Sequence, residues 1–158
     1  MKKSEWGPCI WKTIHCLTIQ IKNEHFEQIK KELIHIIVQI CSNLPCPICS
    51  SHASLFIRKH RIQSIKTKDH LIRFFFHLHN EVNKRLKKKP FSYEDVINTY
   101  KNENIKQTLS AYYNLNHQIK FSERLMNHGY HRKLFLENFK RFVRSNIELF
   151  HIIEPPSK

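Results

Sequence analysis

Two cysteines that stand three positions apart, Cys46 and Cys49, are the residues of this chain best suited to chemistry. At the start of a helix, backbone N–H groups and the helix dipole stabilise a thiolate and lower its pKa. Pro45 and Pro47 restrict the turn between the two cysteines. Because a thiolate attacks disulfides and donates electrons to acceptors, the pair suits a small, reactive disulfide.

The same pair is also one half of a tetrahedral zinc site. The chain has no second CxxC pair, but His52, or His77 together with His79, could complete the ligands. The chain has 12 histidines, so such coincidences are common. The spacing of the cysteines by itself therefore leaves redox chemistry, zinc binding and an incidental pair open.

Composition narrows the class of protein. The chain has 158 residues and only two glycines, which disfavours an all-β fold built from hairpins. All five cysteines lie in the first third, and an odd number without a secretory leader argues against a secreted disulfide scaffold. No apolar run approaches the roughly 18 residues that a membrane span needs. We therefore expect a soluble, all-α protein made in the cytosol.

The net charge of +14 is spread along the chain and is not confined to one tail. A surface of this sign can bind nucleic acid or an anionic membrane, or hold an anionic cofactor. A solvated basic surface would explain it equally well. Since no base-reading motif accompanies the charge, nucleic acid is not the expected partner.

Hydrophobic periodicity and capping residues predict a succession of helices. Thr67 can cap a fourth helix that Pro90 stops, and residues 92–95 resemble the capping box of a short fifth helix. Gly129 marks a turn, and Pro155-Pro156 ends the last helix. The expected helices span about 8–21, 27–42, 46–60, 68–88, 92–100, 105–113 and 131–153.

Two of these helices have side chains that suit a planar, hydrogen-bonding ring. Trp11 and His15 are four residues apart and share a face of the first helix, with Trp6 just before them. The fourth helix places aromatic, imidazole and amide groups on one face, and buried amides need polar partners. An ordinary helix interface would also explain this pattern. The residues of the fourth helix are Phe76, His79, Asn80 and Asn83, and Lys84, Arg85 and Lys88 at its end could neutralise phosphates.

Together these segments resemble the Erv/ALR family of FAD-linked sulfhydryl oxidases, most closely its compact viral members of the African swine fever virus type. The order and spacing of the segments are more specific than any one of them, and the match covers about residues 4–101. The matching residues are Trp6-Gly7-Pro8 with Trp11 and His15, residues 45–49 with His52, the run from His77 to Leu86, and Tyr100.

The resemblance implies a bundle of four helices with a short fifth helix across it, FAD as the cofactor, no metal, and homodimers through helices one and two. It implies that Cys46 and Cys49 are catalytic, with Cys49 next to the flavin and Cys46 exchanging with substrate. The residues expected to bind FAD are Trp6, Gly7, Trp11, His15, His52, His77, His79, Asn80, Val82, Asn83, Arg85, Lys88 and Tyr100.

The resemblance also implies a reaction. Substrate thiols reduce the Cys46–Cys49 disulfide, the electrons pass to FAD, and molecular oxygen reoxidises the flavin to give hydrogen peroxide. The expected partner is a thiol-containing protein, such as a thioredoxin-like or CxxC relay protein, in the host cytoplasm or in a virion. The alternatives are a zinc-stabilised basic helical module that binds nucleic acid and a non-catalytic scaffold with the oxidase fold.

The chain departs from the family pattern in several places. Residues 50–158 contain no cysteine, so a C-terminal shuttle pair is impossible. Cys9 and Cys16 lie about 10 Å apart along one predicted helix, too far for a disulfide, and are expected to be buried thiols or dimer contacts. Tyr93 replaces a cysteine that tethers the fifth helix in cellular members. Packing must therefore hold this helix.

Residues 102–158 have no counterpart in the compact family core. We divide the chain into an FAD-binding sulfhydryl oxidase domain, 1–101, and a basic helical C-terminal extension, 102–158. The amphipathic helix of the extension has Phe135, Phe139 and Phe142 on one face. We expect it to pack on the core or to form a second dimer interface.

Overall fold

The structure is a computed structural model that describes residues 1–119 and 126–154. The described residues form seven α-helices and one isolated antiparallel bridge between Ile21 and Phe150. The all-α prediction is therefore confirmed. The helices are α1 (Lys3–Ile19), α2 (Phe26–Ser42), α3 (Pro47–Lys59), α4 (Lys68–Arg85), α5 (Tyr93–Tyr100), α6 (Ile105–Gln118) and α7 (Met126–Asn146).

Side chains that bond the free backbone N–H groups determine where several of the helices begin. Thr67 caps α4 by accepting a hydrogen bond from the His70 N–H at 3.1 Å. Ser92 accepts from the Asp95 N–H at 3.0 Å, and the Asp95 carboxylate accepts from the Ser92 N–H at 3.4 Å. This is the predicted capping box of α5. Cys46 occupies the cap position of α3.

Several predicted boundaries are wrong. α1 begins at Lys3, five residues before Pro8, because the Glu5 carboxylate accepts from the Lys2 N–H at 2.6 Å and so supports an earlier start. Pro8 has no N–H to donate to the Ser4 carbonyl. This loss is tolerated because Ser4 is exposed and its carbonyl can bond water instead. α4 ends at Arg85 and not near Lys88, since the backbone reaches a positive φ of 54° at Lys87.

The C-terminal extension also differs from the prediction. α6 continues to Gln118, beyond the expected end near residue 113. Gly129 lies inside α7 and marks no turn, because burial of one helix face outweighs the roughly 1 kcal/mol that a helical glycine costs. The last helix ends at Asn146 and is followed by one 3₁₀ turn. Pro155-Pro156 lies outside the described residues.

α1 is the central helix of the fold. It packs against α4 on one side and α6 on another, with α5 lying on both α1 and α4, and every residue from 13 to 21 is buried. α2 packs against α1 and α3, and Phe56 of α3 meets Phe74 of α4 edge to face at 5.4 Å between ring centroids. The helices α1 to α4 thus form the expected bundle, and α5 lies across it.

The extension packs on the core, as predicted. α6 lies on α1, and α7 lies on both α2 and α6. Phe139 is 1% exposed and lies 5.0 Å from the ring of Tyr112. Backbone bonds join the two parts as well, from the Lys22 N–H to the Leu149 carbonyl at 3.0 Å and from the His151 N–H to the Gln20 carbonyl at 2.8 Å.

Two further results concern cysteines and membranes. Neither Cys9 nor Cys16 forms a disulfide. In the single chain, the side chain of Cys16 is buried and that of Cys9 is half-buried. Among the helices of the described residues, none combines the length and the apolar character needed to cross a membrane.

Candidate functional site

Cys46 and Cys49 form a disulfide at the N-terminus of α3, with their Cα atoms 5.2 Å apart. The Cys46 sulfur accepts a hydrogen bond from the Cys49 N–H at 3.3 Å, in the position of a helix cap. Pro47 provides the first helical residue, and the Ser50 hydroxyl accepts from the Leu44 N–H at 3.2 Å. Because the helix N-terminus points at the Cys46 sulfur, it stabilises negative charge on that sulfur after reduction.

The three other cysteines are unsuited to thiol exchange. Burial raises the pKa of Cys16 and of Cys41 to about 12, and burial also raises the pKa of Cys9. At neutral pH these groups are therefore thiols, which are poor nucleophiles. Among the cysteines, only the pair at α3 is arranged for redox chemistry.

Four flat rings from α1, α4 and α5 form a continuous stack. Trp11 and His79 lie face to face, with centroids 3.9 Å apart and planes 8° apart. His15 lies 5.1 Å from His79, and Tyr100 stacks on His15 at 4.8 Å. The i, i+4 spacing of Trp11 and His15 predicted their shared face, and the packing of α1 on α4 brings His79 to it.

The two imidazoles of this stack share a hydrogen bond, with His15 Nε2 and His79 Nδ1 2.9 Å apart. Burial, assisted by the neighbouring His79, lowers the pKa of His15 to about 3. Burial and the charge of Lys88 lower the pKa of His79 to about 4. Both rings are therefore neutral at pH 7. His15 Nδ1 is buried and has no hydrogen-bond partner, so one polar atom of the stack is unsatisfied within the chain.

Asn80 attaches the segment before α5 to α4. Its side chain donates to the Phe91 carbonyl at 2.9 Å and accepts from the Phe91 N–H at 2.9 Å. Phe91 thereby lies 5.1 Å from the ring of His79, between centroids. Asn83 is buried one turn further along α4, and its amide is 3.5 Å from the Asn80 oxygen. Part of the polar face of α4 thus forms hydrogen bonds with the backbone of the segment before α5. The sequence did not predict these bonds.

Gln20 fixes the other end of the stack and was missed by the sequence reasoning. Its side-chain amide donates to the Tyr100 carbonyl and to the Glu103 carbonyl, both at 2.8 Å. Lys12 also pairs with the Glu103 carboxylate at 2.8 Å. These bonds hold the end of α5 against α1. A lone glutamine after a helix gives no sequence signal of such a role, because its partners are backbone carbonyls.

The stack and its surroundings fit a flat, anionic cofactor such as FAD. Aromatic faces and an unpartnered, buried imidazole nitrogen match a heteroaromatic ring system. Lys88 lies close enough to the stack for its charge to lower the pKa of His79. Lys84 and Arg85 are exposed at the same end of α4, so cations are available for phosphates.

The remaining predicted residues lie outside the stack. Trp6 is buried in the core, and Val82 is half-buried against that core. A Cβ atom on Gly7 would meet nothing within 4 Å, so the chain itself leaves open space there. His52 and His77 are exposed, and the ring of His77 lies 5.1 Å from that of Phe76. In the part of the chain that the structure describes, no three His, Cys, Asp or Glu residues cluster as metal ligands would.

Comparisons with known proteins agree with this geometry. The model of the Erv1 / Alr family matches residues 8–104. Two proteins from isolates of African swine fever virus, both called FAD-linked sulfhydryl oxidase, are 34% and 32% identical over 95 and 101 residues. These matches cover 60% and 64% of this chain and 79% and 84% of the viral proteins.

A cellular relative is similar over a comparable length of the chain. The yeast FAD-linked sulfhydryl oxidase ERV2, from Saccharomyces cerevisiae, is 28% identical over 99 residues, which is 62% of this chain and 50% of the yeast protein. No solved structure matches significantly. Since the family match spans most of the chain and includes the cysteine pair and all four rings of the stack, this protein belongs to the Erv1 / Alr family.

Proposed function

We propose that this protein is an FAD-dependent sulfhydryl oxidase that forms disulfide bonds in protein substrates through Cys46 and Cys49. The observation that supports this most directly is that one Erv1 / Alr fold contains both a capped CxxC disulfide and a buried stack of rings with an unpartnered imidazole nitrogen. Relatives from viruses and yeast have names that describe the same activity.

The chain's own part in the reaction is thiol–disulfide exchange. A substrate thiolate attacks the Cys46 sulfur, the Cys46–Cys49 bond breaks, and Cys49 leaves as a thiolate. A second substrate thiolate then attacks the substrate sulfur of the mixed disulfide, and Cys46 leaves as a thiolate. The N–H of Cys49, which bonds the Cys46 sulfur, favours this departure. The substrate gains a disulfide, and the enzyme holds the two electrons as a reduced dithiol.

FAD, when bound, would supply a two-electron acceptor for this dithiol and a route for the electrons to molecular oxygen, which is reduced to hydrogen peroxide. We assign its binding to the ring stack of Trp11, His15, His79 and Tyr100. Because the imidazoles bond each other through His15 Nε2 and His79 Nδ1, His15 Nδ1 is the ring nitrogen left for a polar group of the cofactor. Both imidazoles stay neutral at pH 7 and so add no charge there.

The other residues keep supporting roles in this proposal. Lys88 would bind phosphate oxygens, and Asn83 is a buried amide next to the stack. Asn80 would act by holding Phe91 beside His79. Contacts of the cofactor with the following residues stay predictions: Trp6, Gly7, His52, His77, Val82 and Arg85.

The proposed partner is a protein dithiol, such as a thioredoxin-like or CxxC relay protein, and the proposed place of action is the cytoplasm of a virus-infected cell or a virion. A homodimer through helices one and two stays a prediction. α4, α5 and α6 pack on the first helix, and residues 13–21 are buried within a single chain, so such a dimer would need the exposed face of α2. That face contains Glu27, Lys31, Glu32 and His35.

The test is oxygen uptake by the purified full-length protein with dithiothreitol as the thiol substrate. We expect a yellow protein, thiol-dependent oxygen consumption and hydrogen peroxide. Cys49→Ser should abolish turnover and Cys46→Ser should block entry of electrons from the substrate. Cys9→Ser is the matched control and should remain active, because Cys9 is outside the disulfide and its pKa is raised.

Three outcomes would contradict the proposal. A colourless protein with about one zinc per chain, lost on Cys46→Ser, would support the zinc-stabilised module. A yellow protein without thiol-dependent oxygen uptake would indicate a scaffold that keeps the fold without turnover. Full activity of the Cys46→Ser/Cys49→Ser double variant would show that the catalytic pair is elsewhere.

A further inference from the structure

α3 has an exposed apolar face directly beside the disulfide. Its inner face buries Ala53 and Ile57. On the outer face, Ile48 is 68% exposed and Leu55 is 55% exposed, although both are large aliphatic residues. Seven residues separate them, which is two helical turns, so they lie on one side of the helix. Single exposed aliphatic residues are common, whereas two aligned beside a reactive bond indicate a contact surface.

We call this surface the α3 stripe and define it as Ile48, His52, Leu55 and Lys59, at positions i, i+4, i+7 and i+11 of the helix. All four are exposed. Ile48 stands between the two redox cysteines in the chain, so a molecule that touches the α3 stripe also reaches the disulfide.

The surroundings of the stripe are cationic. The chain has no Asp or Glu between Glu32 and Asp69. Arg58, Lys59 and Arg61 are exposed at the C-terminal end of α3, and none of these three is in an ion pair within the described residues. A partner on this face would therefore meet an apolar strip next to the disulfide and positive charge beyond it.

The geometry points to the α3 stripe as the docking surface for the protein substrate. The substrate that fits it has aliphatic side chains beside its reactive cysteine and carboxylates further away, opposite Lys59 and Arg58. This inference rests on the proposed oxidase function and names the chemistry of its substrate. Contact with Ile48 and Leu55 holds the substrate thiolate beside the Cys46 sulfur, where it displaces Cys49 as in the exchange above.

Short dithiol peptides provide a direct test, because they can share one Cys-Gly-Pro-Cys core and differ only in their flanks. One peptide has Leu and Glu flanks, a second has Leu and Lys, and a third has only Ser. For the wild-type holoenzyme we expect kcat/KM for the Leu/Glu peptide to exceed that for the Ser peptide by about tenfold, as burial of a single aliphatic side chain permits. The difference should lie mainly in KM, and the advantage of Glu over Lys flanks should shrink as ionic strength rises.

Leu55→Ser should remove most of the preference for Leu flanks, and Lys59→Glu should reverse the preference for Glu over Lys flanks. The matched control is Leu134→Ser on α7, because Leu134 is 51% exposed but distant in sequence and outside the stripe. Neither Leu55→Ser nor the control should change the rate with dithiothreitol more than about twofold, since so small a thiol needs no docking surface.

Equal kcat/KM values for the three peptides with the wild-type enzyme would overturn the docking proposal, and so would a Leu55→Ser variant that behaves like Leu134→Ser. Both results leave the oxidase function intact if dithiothreitol is oxidised. A wild-type protein that oxidises neither dithiothreitol nor peptides would instead overturn the proposed function, and the docking proposal with it.

Discussion

The buried imidazole pair makes a quantitative prediction about stability in acid. His15 and His79 are neutral in the folded protein, with pKa values lowered to about 3 and about 4 from 6.5. In the unfolded chain both rings are solvated and bind protons as the pH falls below 6.5. Between pH 6.5 and the lowered values, the unfolded state therefore holds more protons than the folded one, and acid favours unfolding.

The magnitude follows from the pKa shifts. Stability from these two groups is fully present above pH 6.5 and is lost progressively as the pH falls towards 4 and 3. At pH 5 each unfolded imidazole is almost fully protonated while each folded one is almost fully neutral. Lowering the pH from 7 to 5 should thus remove about 2 kcal/mol of unfolding free energy for each histidine, or about 4 kcal/mol for the pair.

Urea unfolding at pH 7, 6 and 5, followed by tryptophan fluorescence, measures this loss. The comparison is between the wild type and His79→Gln, because a neutral amide cannot take up the proton. The variant will be less stable at pH 7, but its loss between pH 7 and 5 should be smaller than that of the wild type by about 2 kcal/mol. Leu134→Ser is the control, since it changes an exposed side chain that does not titrate, and its loss of stability between pH 7 and 5 should equal that of the wild type.

An equal loss of stability in the wild type and in His79→Gln would refute the reasoning. It would mean that His79 titrates alike in the folded and unfolded states, and that the stack is open to water. A consistent functional result would be release of flavin as the pH falls towards 4 and 3, because the folded rings bind protons there and their shared hydrogen bond is lost.

Three other substitutions test the site and the extension. Gly7→Ala should stabilise the flavin-free protein by about 1 kcal/mol in thermal unfolding, because the new Cβ meets open space. If the cofactor uses that space, the variant should also retain less flavin, as measured by absorbance. Asn80→Ala should cost about 2 kcal/mol and lower flavin retention, since it leaves the N–H and C=O of Phe91 without partners; Lys84→Ala, at an exposed position on the same helix, is the stability control. Phe139→Ala should lower the free energy of unfolding in urea by about 3–5 kcal/mol. If the extension and the core unfold together, tryptophan fluorescence and circular dichroism should report the same transition. Separate transitions would show that the extension unfolds alone.

Local features of the sequence predicted the helices well. Thr67 and the box from Ser92 to Asp95 locate two helix starts, because capping depends on residues within one turn. The predicted turn at Gly129 is wrong because distant contacts outweigh local preference. Gly129 lies inside α7 because the phenylalanines of that helix are buried against the rest of the protein.

The site was predictable where its chemistry depends on spacing along the chain. Cys46 and Cys49 form their own disulfide, and Trp11 and His15 share a face through the helical repeat. Phe91 and Gln20 were not predictable. The backbone of Phe91 is held by the Asn80 side chain 11 residues away, and Gln20 bonds backbone carbonyls 80 and 83 residues away. Hydrogen bonds to backbone atoms leave little signature in residue type.

By itself, the sequence of this protein determines an all-helical chain, a cysteine pair at a helix start and the resemblance to a family, because each depends on residue types at short spacing. Only the tertiary structure decides that Trp11, His79, His15 and Tyr100 form one stack, that the extension packs on α1 and α2, and that the α3 stripe remains exposed. These features depend on which helix faces meet, and that is settled by burial of apolar surface from distant parts of the chain.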